Sequence, residues 1–91
     1  MKVIFRSSDF NSITTAGLGF TNRRPGAASW QYGGRVQHAR WEGSYECHWE
    51  TPAEGSRAPG QLLWTVSGDE RLFGLAAALK SRGFTVTVEQ N

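Results

Sequence analysis

Four side chains between positions 38 and 48 have the chemistry to move protons on a phosphodiester: His38, Arg40, Glu46 and His48. One imidazole would take the proton of a 2′ hydroxyl, the other would protonate the leaving oxygen, and Arg40 would stabilise the charge gathering on phosphorus. A ribonuclease of this kind needs all four on one surface. The same residue types, alternating along neighbouring strands, also make an ordinary solvated sheet face, with Arg40 and Glu46 as a cross-strand pair contributing about 0.2–1 kcal/mol.

Other reactive arrangements are weaker. Cys47-His48 together with His38 supplies three zinc-type ligands, but adjacent residues of a strand point to opposite faces and do not reach one ion. The sequence therefore predicts no metal site, no Cys–His nucleophilic pair and no cofactor, and Cys47 between Tyr45 and Trp49 reads as a small buried hydrophobe. Gly17-Leu18-Gly19 lacks the third glycine and the following helix of a dinucleotide loop, so it reads as a bend in a strand.

A second constellation is the pairing of arginine with tryptophan. Eight arginines stand against two lysines, beside four tryptophans, and Trp, Tyr and Arg are the residues that dominate protein interfaces. The candidate partner-binding residues are Arg23, Arg24, Trp30, Tyr32, Arg35, Trp41 and Arg57. On a sheet face, such residues also suit stacking of RNA or single-stranded DNA.

Which surface each residue occupies depends on the elements beneath it. Val3-Ile4-Phe5 reads as a first strand, and residues 13–20, with Thr14, Thr15, Leu18 and Phe20, as a weak strand bent at Gly17 and Gly19. Residues 21–28 read as a loop turned by Pro25-Gly26. Gly33-Gly34 reads as a two-residue hairpin turn, which puts Trp30, Tyr32, Arg35, Gln37, Ala39 and Trp41 on one face. A three-residue loop at Glu42-Gly43-Ser44 then brings Tyr45, Cys47 and Trp49 to that face. Val36, His38, Arg40, Glu46, His48 and Glu50 fall on the other.

Residues 51–60, with two prolines and two glycines, read as a long surface loop. Residues 61–67 follow as a strand with Leu62, Trp64 and Val66 on one side and Leu63 on the other, which predicts partial burial of both faces. Ser67 and Glu70 have the spacing of a capping box, and Leu72, Leu75, Ala76 and Leu79 recur at the helical period of an amphipathic helix closed by Lys80, Arg82 and Gly83. Residues 84–88 alternate as a final strand. The expected fold is a two-layer α+β domain: an antiparallel-rich sheet of five or six strands packed on one α-helix in the C-terminal half, in the order β-β-β-β-β-α-β with a weak second strand. One such helix is too small to cover six strands, which predicts either a strongly curled sheet or a partly bare aromatic face.

Composition bounds the function. Ninety-one residues suit one small globular domain spanning 1–91, burying about 60–65% of its unfolded surface. The formal net charge is +2 with the cations scattered, a weak field for a nucleic-acid surface. A single cysteine excludes a disulfide framework and suits a reducing, cytoplasmic compartment. No run reaches the about 20 apolar residues of a membrane span, and the apolar stretch after Lys2 is too short for a signal peptide.

In general style the chain resembles the short single-domain proteins of phages and other mobile elements that bind and block host machinery, anti-CRISPR inhibitors among them. This likeness rests on size and style, not on a motif, and assigns no residue a role. The expected function is a non-enzymatic protein-binding domain of inhibitor type acting on a host protein or nucleoprotein complex. The alternative is an RNA or single-stranded DNA binder, or a small toxin-type ribonuclease using His38, Arg40, Glu46 and His48. A free sheet edge also makes a homodimer by strand addition an expectation.

Overall fold

The computed structural model describes residues 1–25, 31–52, 54, 55, 57 and 59–90; the side chains of residues 22–25 and 31 lie outside that description. The elements in chain order are β1 (Lys2–Ser7), α1 (Asn11–Thr14), β2 (Phe20–Pro25), β3 (Gln31–Gln37), β4 (Glu42–Glu50), β5 (Gln61–Gly68), α2 (Leu72–Ser81) and β6 (Val86–Glu89). Six strands form one sheet in the order β2-β3-β4-β5-β1-β6, and every neighbouring pair is antiparallel. This is an α+β architecture with its longer helix in the C-terminal half. Because β5 and β6 both pair with β1, the β5–α2–β6 connection crosses over β1 and leaves β1 internal.

Strand parity sorts the sheet into two faces. Val3 and Phe5 of β1, Val36 of β3, Tyr45 and Cys47 of β4, and Leu62, Trp64 and Val66 of β5 are buried on one face. Trp64 is the hub of this core: it stacks on Phe5 and Phe10, meets Phe20 edge-on and packs beside Tyr45. Its Nε1–H donates to Ser7 Oγ at 2.8 Å, so the indole is buried with its polar atom satisfied.

Two pieces of chain cover that face. Helix α2 buries Leu72, Leu75, Ala76 and Leu79, the positions the period predicts. The segment joining β1 to β2 runs to the opposite edge of the sheet and supplies the second cover, with Phe10 on Trp64 and Ile13 and Leu18 buried. Coverage is thus shared and not left to one helix.

Four expectations fail locally. Residues 13–20 are not a bent strand but the end of α1, a turn, and the start of β2. Asp9 Oδ1 accepts the Ser12 N–H at 2.7 Å, an N-terminal capping interaction that favours the helical turn. Residues 21–25, expected in a loop, belong to edge strand β2; 26–28 lie outside the described residues. Gly33-Gly34 is no turn: both lie inside β3, whose seven residues pair without interruption from Gln31 opposite His48 to Gln37 opposite Glu42. The chain reverses instead through residues 38–41, closed by the His38 N–H donating to the Trp41 carbonyl at 3.0 Å. No loop forms at Glu42-Gly43-Ser44, which begin β4.

The capping box is also displaced. Ser67 remains in β5 opposite Lys2 and Ser44, and α2 begins at Leu72. Asp69 takes the local role, its Oδ1 accepting the Arg71 N–H at 3.0 Å. The guanidinium of Arg71 also pairs with Asp69 and holds its carboxyl below the usual range, first through the side-chain hydrogen bond. Downstream the reading holds, with Lys80 in the last turn, Gly83 just beyond the helix, and Phe84, Val86 and Val88 partly buried against the core.

Candidate functional site

The continuous β3 redistributes the expected binding surface. A two-residue loop would have put Tyr32 and Arg35 together; in one strand, three positions apart, they face opposite sides. Tyr32 is half-buried on the core side against Phe10, and Arg35 is exposed on the outer face, where its strand neighbours are Thr21 and Ser44. Val36, expected outside, is fully buried. Arg57 is exposed in the connection after β4. Arg23 and Arg24 lie on β2 with their side chains outside the description, and Trp30 lies outside the described residues. The described members of the set therefore occupy separate regions.

The nuclease quartet is split as well. His38 and Arg40 sit in the β3–β4 turn, while Glu46 and His48 are on the outer face of β4. His48 is six residues along β4 from Glu42, where the turn ends, or about 20 Å at the usual rise of a strand. Glu46 pairs with Gly33 and Thr65, so the expected Arg40–Glu46 cross-strand pair does not form. Around Glu46 and His48 the outer face carries Lys2, Ser44, Thr65 and Ser67, with half-buried Leu63 opposite His48 and Ile4 opposite Thr65, a mainly polar surface with an apolar patch. At its end the Arg6 Nε–H donates to Glu50 Oε1 at 2.6 Å, and this hydrogen bond holds the Glu50 carboxyl below the usual range.

A different constellation forms where the two covering pieces meet. Trp41, at the end of the turn, is buried, and its Nε1–H donates to the Leu18 carbonyl at 2.9 Å. The His38 ring stacks on the indole with centroids 3.9 Å apart and planes 7° from parallel. The Arg40 N–H donates to His38 Nδ1 at 3.1 Å, so Nδ1 acts as acceptor and the proton of the neutral ring sits on Nε2. On the helix side a Cβ on Gly74 would stand 3.2 Å from Trp41 Cε3, a close approach that the missing side chain permits. Arg82, just past α2, donates from Nη2 to the Ala16 carbonyl at 2.9 Å.

Together these residues line a shallow groove of about 670 Å³, with Gly74, Ala77, Ala78 and Ser81 along one wall and His38 and Trp41 along the other. Its charged lining residues are Arg40 and Arg82, with no carboxylate among them. One turn before Ala77, Phe73 is 46% exposed. Within the ten residues of α2 the charged residue is Lys80. The arc turned away from the core is thus Phe73, Gly74, Ala77, Ala78 and Ser81, small and apolar, with the exposed Lys80 at its margin.

The sequence did contain a signal for this site: an almost uncharged helix reads as buried on all sides, and α2 in this chain is covered on one. Trp49, expected with the buried aromatics, lies on the core side of β4 but is 42% exposed beyond the covering pieces. Among the described residues, no three His, Cys, Asp or Glu side chains gather as metal ligands, and no helix is long and apolar enough to cross a membrane. No protein-family model, curated protein or solved structure matches this chain.

Proposed function

We propose that this chain is a small non-enzymatic protein-binding domain whose contact surface is the outer arc of α2 together with the β3–β4 turn. The observation that carries this reading is the composition of α2. A helix that carries a single charge, Lys80, in ten residues is far more apolar than a one-sided surface helix needs to be, and Phe73, Gly74, Ala77, Ala78 and Ser81 are uncovered or only half-covered. A partner segment laid along this arc would remove apolar surface from water. Arg40 and Arg82 select for carboxylates beside that apolar contact, because the groove offers cations and no competing acid.

Base stacking is less well served. Trp41 is 5% exposed, with His38 stacked on it and Gly74 against its edge, so its ring faces are not open to a nucleobase. A domain this small that works by covering a partner's surface suits an inhibitor of the kind phages and mobile elements carry, anti-CRISPR proteins among them.

The test is capture from a nuclease-treated host lysate with the tagged wild type and three variants. Wild type and the outer-face double variant Glu46→Gln/His48→Gln are expected to retain the same protein stoichiometrically. Ala77→Glu, which puts a charge in the groove at an exposed helix position, is expected to lose it while keeping the wild-type melting curve; Phe73→Ala is expected to weaken it. Retention unaffected by both α2 variants, or retention of nucleic acid alone without nuclease, would overturn the reading.

A further inference from the structure

The two edges of the sheet are built differently. Edge strand β2 departs from simple pairing: it carries one extra residue between Thr21 and Arg24 relative to β3, and it ends on Pro25, which has no N–H to offer a new neighbour. A bulge and a proline are two of the devices by which natural sheets keep an edge from recruiting another strand. Edge strand β6 has neither. Its residues Val86, Thr87, Val88 and Glu89 pair in unbroken register with Phe5, Ile4, Val3 and Lys2, and among the described residues no strand lies on the outward side of β6. Beside this edge Phe84, Val86 and Val88 are only half-buried, whereas Val3 and Phe5 on the next strand are fully covered. That open edge and the incompletely covered apolar side chains coincide at one place.

From this we infer that β6 pairs antiparallel with β6 of a second copy, about a two-fold axis at Thr87, to make one continuous sheet of two domains. The strand is complementary to itself in this register. Thr87 faces its own copy, and Val86 meets Val88 of the second copy, so apolar residues meet on the core side and threonines on the outer side. Glu89 falls opposite Thr85 of the second copy, so no like charges oppose each other. A second copy is the occupant to which this symmetry points, because the two-fold requires the same residues on both sides. Four residues make a short ladder, so the association is concentration-dependent. It involves neither the outer arc of α2 nor the β3–β4 turn, so it stands or falls apart from the function proposed above.

Sedimentation over a concentration series tests it on the full chain. The wild type is expected to move toward twice the 10.1 kDa chain mass as concentration rises. Val88→Lys, an inward charge beside the edge, is expected to hold the monomer mass throughout, with circular dichroism reporting that the fold persists. In a second measurement, Thr87→Cys is expected to form a disulfide-linked dimer under a mild oxidant while Thr85→Cys does not, the wild type with its buried Cys47 serving as the blank. A wild type that stays monomeric at every concentration overturns the inference. So does a dimer that survives Val88→Lys, or one that is lost in Ala77→Glu.

Discussion

Two surfaces of this domain face solvent, and they differ in kind. The outer face of the sheet presents Lys2, Arg6, Ser44, Glu46, His48, Glu50, Thr65 and Ser67 around half-buried Ile4 and Leu63, with Arg6 and Glu50 paired across it. The outer arc of α2 presents Phe73, Gly74, Ala77, Ala78 and Ser81, with Lys80 exposed at its margin as its one charge. The first surface resembles what water demands of a sheet with one face covered. The second resembles an interior that lacks its other half. Of the reactive quartet, His48 and Glu46 lie on the less distinctive surface and His38 and Arg40 line the groove, whose helix wall is marked by its shortage of charged groups.

The largest expected effect separates the two sides of α2. Leu79 is fully buried, and Leu79→Ala is expected to lower unfolding free energy by about 2–5 kcal/mol, through lost transfer energy and the cavity left behind. Phe73→Ala, on the same helix, is expected to change stability by only about 0.5 kcal/mol while weakening partner capture. Urea unfolding of both variants checks the pair. A Phe73→Ala protein as unstable as Leu79→Ala would mean that the outer arc already has its partner within the chain, and the contrast between the surfaces would collapse.

Next in size is the tie that shapes the groove. Trp41→Phe keeps an aromatic ring but removes the Nε1–H that donates to the Leu18 carbonyl. Leaving that carbonyl without its indole partner in a buried setting is expected to cost about 1–3 kcal/mol, together with the fixed stacking of His38. An unchanged midpoint would show that the turn is held by its backbone bond alone and that the groove wall is not built by Trp41.

How much of this was legible beforehand depends on the element. Strands β1, β5 and β6 and helix α2 carry clean periods, as in Leu62-Trp64-Val66 and Leu72-Leu75-Ala76-Leu79, because burial on one side dictates residue type. Strand β2 does not: its Arg-Arg-Pro composition reads as loop, and it is held as an edge by backbone pairing that side-chain pattern does not record. At Gly33-Gly34 a strong local turn signal is overridden by the long ladder between β3 and β4, and that change leaves Tyr32 on the core side but reverses the faces of Arg35, Val36 and Gln37. The grouping of Tyr32 with Arg35 depended on that turn, whereas the nuclease quartet depended on a strand through residues 38–41 and a loop at Glu42-Gly43-Ser44, where the chain instead turns at 38–41 and β4 begins at Glu42. Gly19 shows the opposite case, since its φ of +93° and the collision a Cβ would make with the Gln37 carbonyl demand glycine, yet the bend it makes leads into β2 and does not interrupt a strand. For the site itself, the scarcity of charge in α2, with Lys80 alone among residues 72–81, was readable in the sequence, but the opposing wall required knowing that the chain turns at residues 38–41.

The smallest effect belongs to the polar surface and has a sign that pH can test. The Arg6 hydrogen bond, ahead of the Coulombic attraction, lowers the Glu50 carboxyl below its ordinary value of 4.5. A carboxyl that is more acidic folded than unfolded binds fewer protons in the native state, so its contribution to stability is present above 4.5 and fades as pH falls through the depressed folded value. Both partners are substantially exposed, so solvent screening keeps the contribution small. Glu50→Gln is accordingly expected to melt slightly below the wild type at neutral pH, and the gap is expected to close in acid and to narrow at high salt. A gap that widened in acid would mean that protonated Glu50 is the stabilising form, which would place it in a buried polar contact and not on a solvated face.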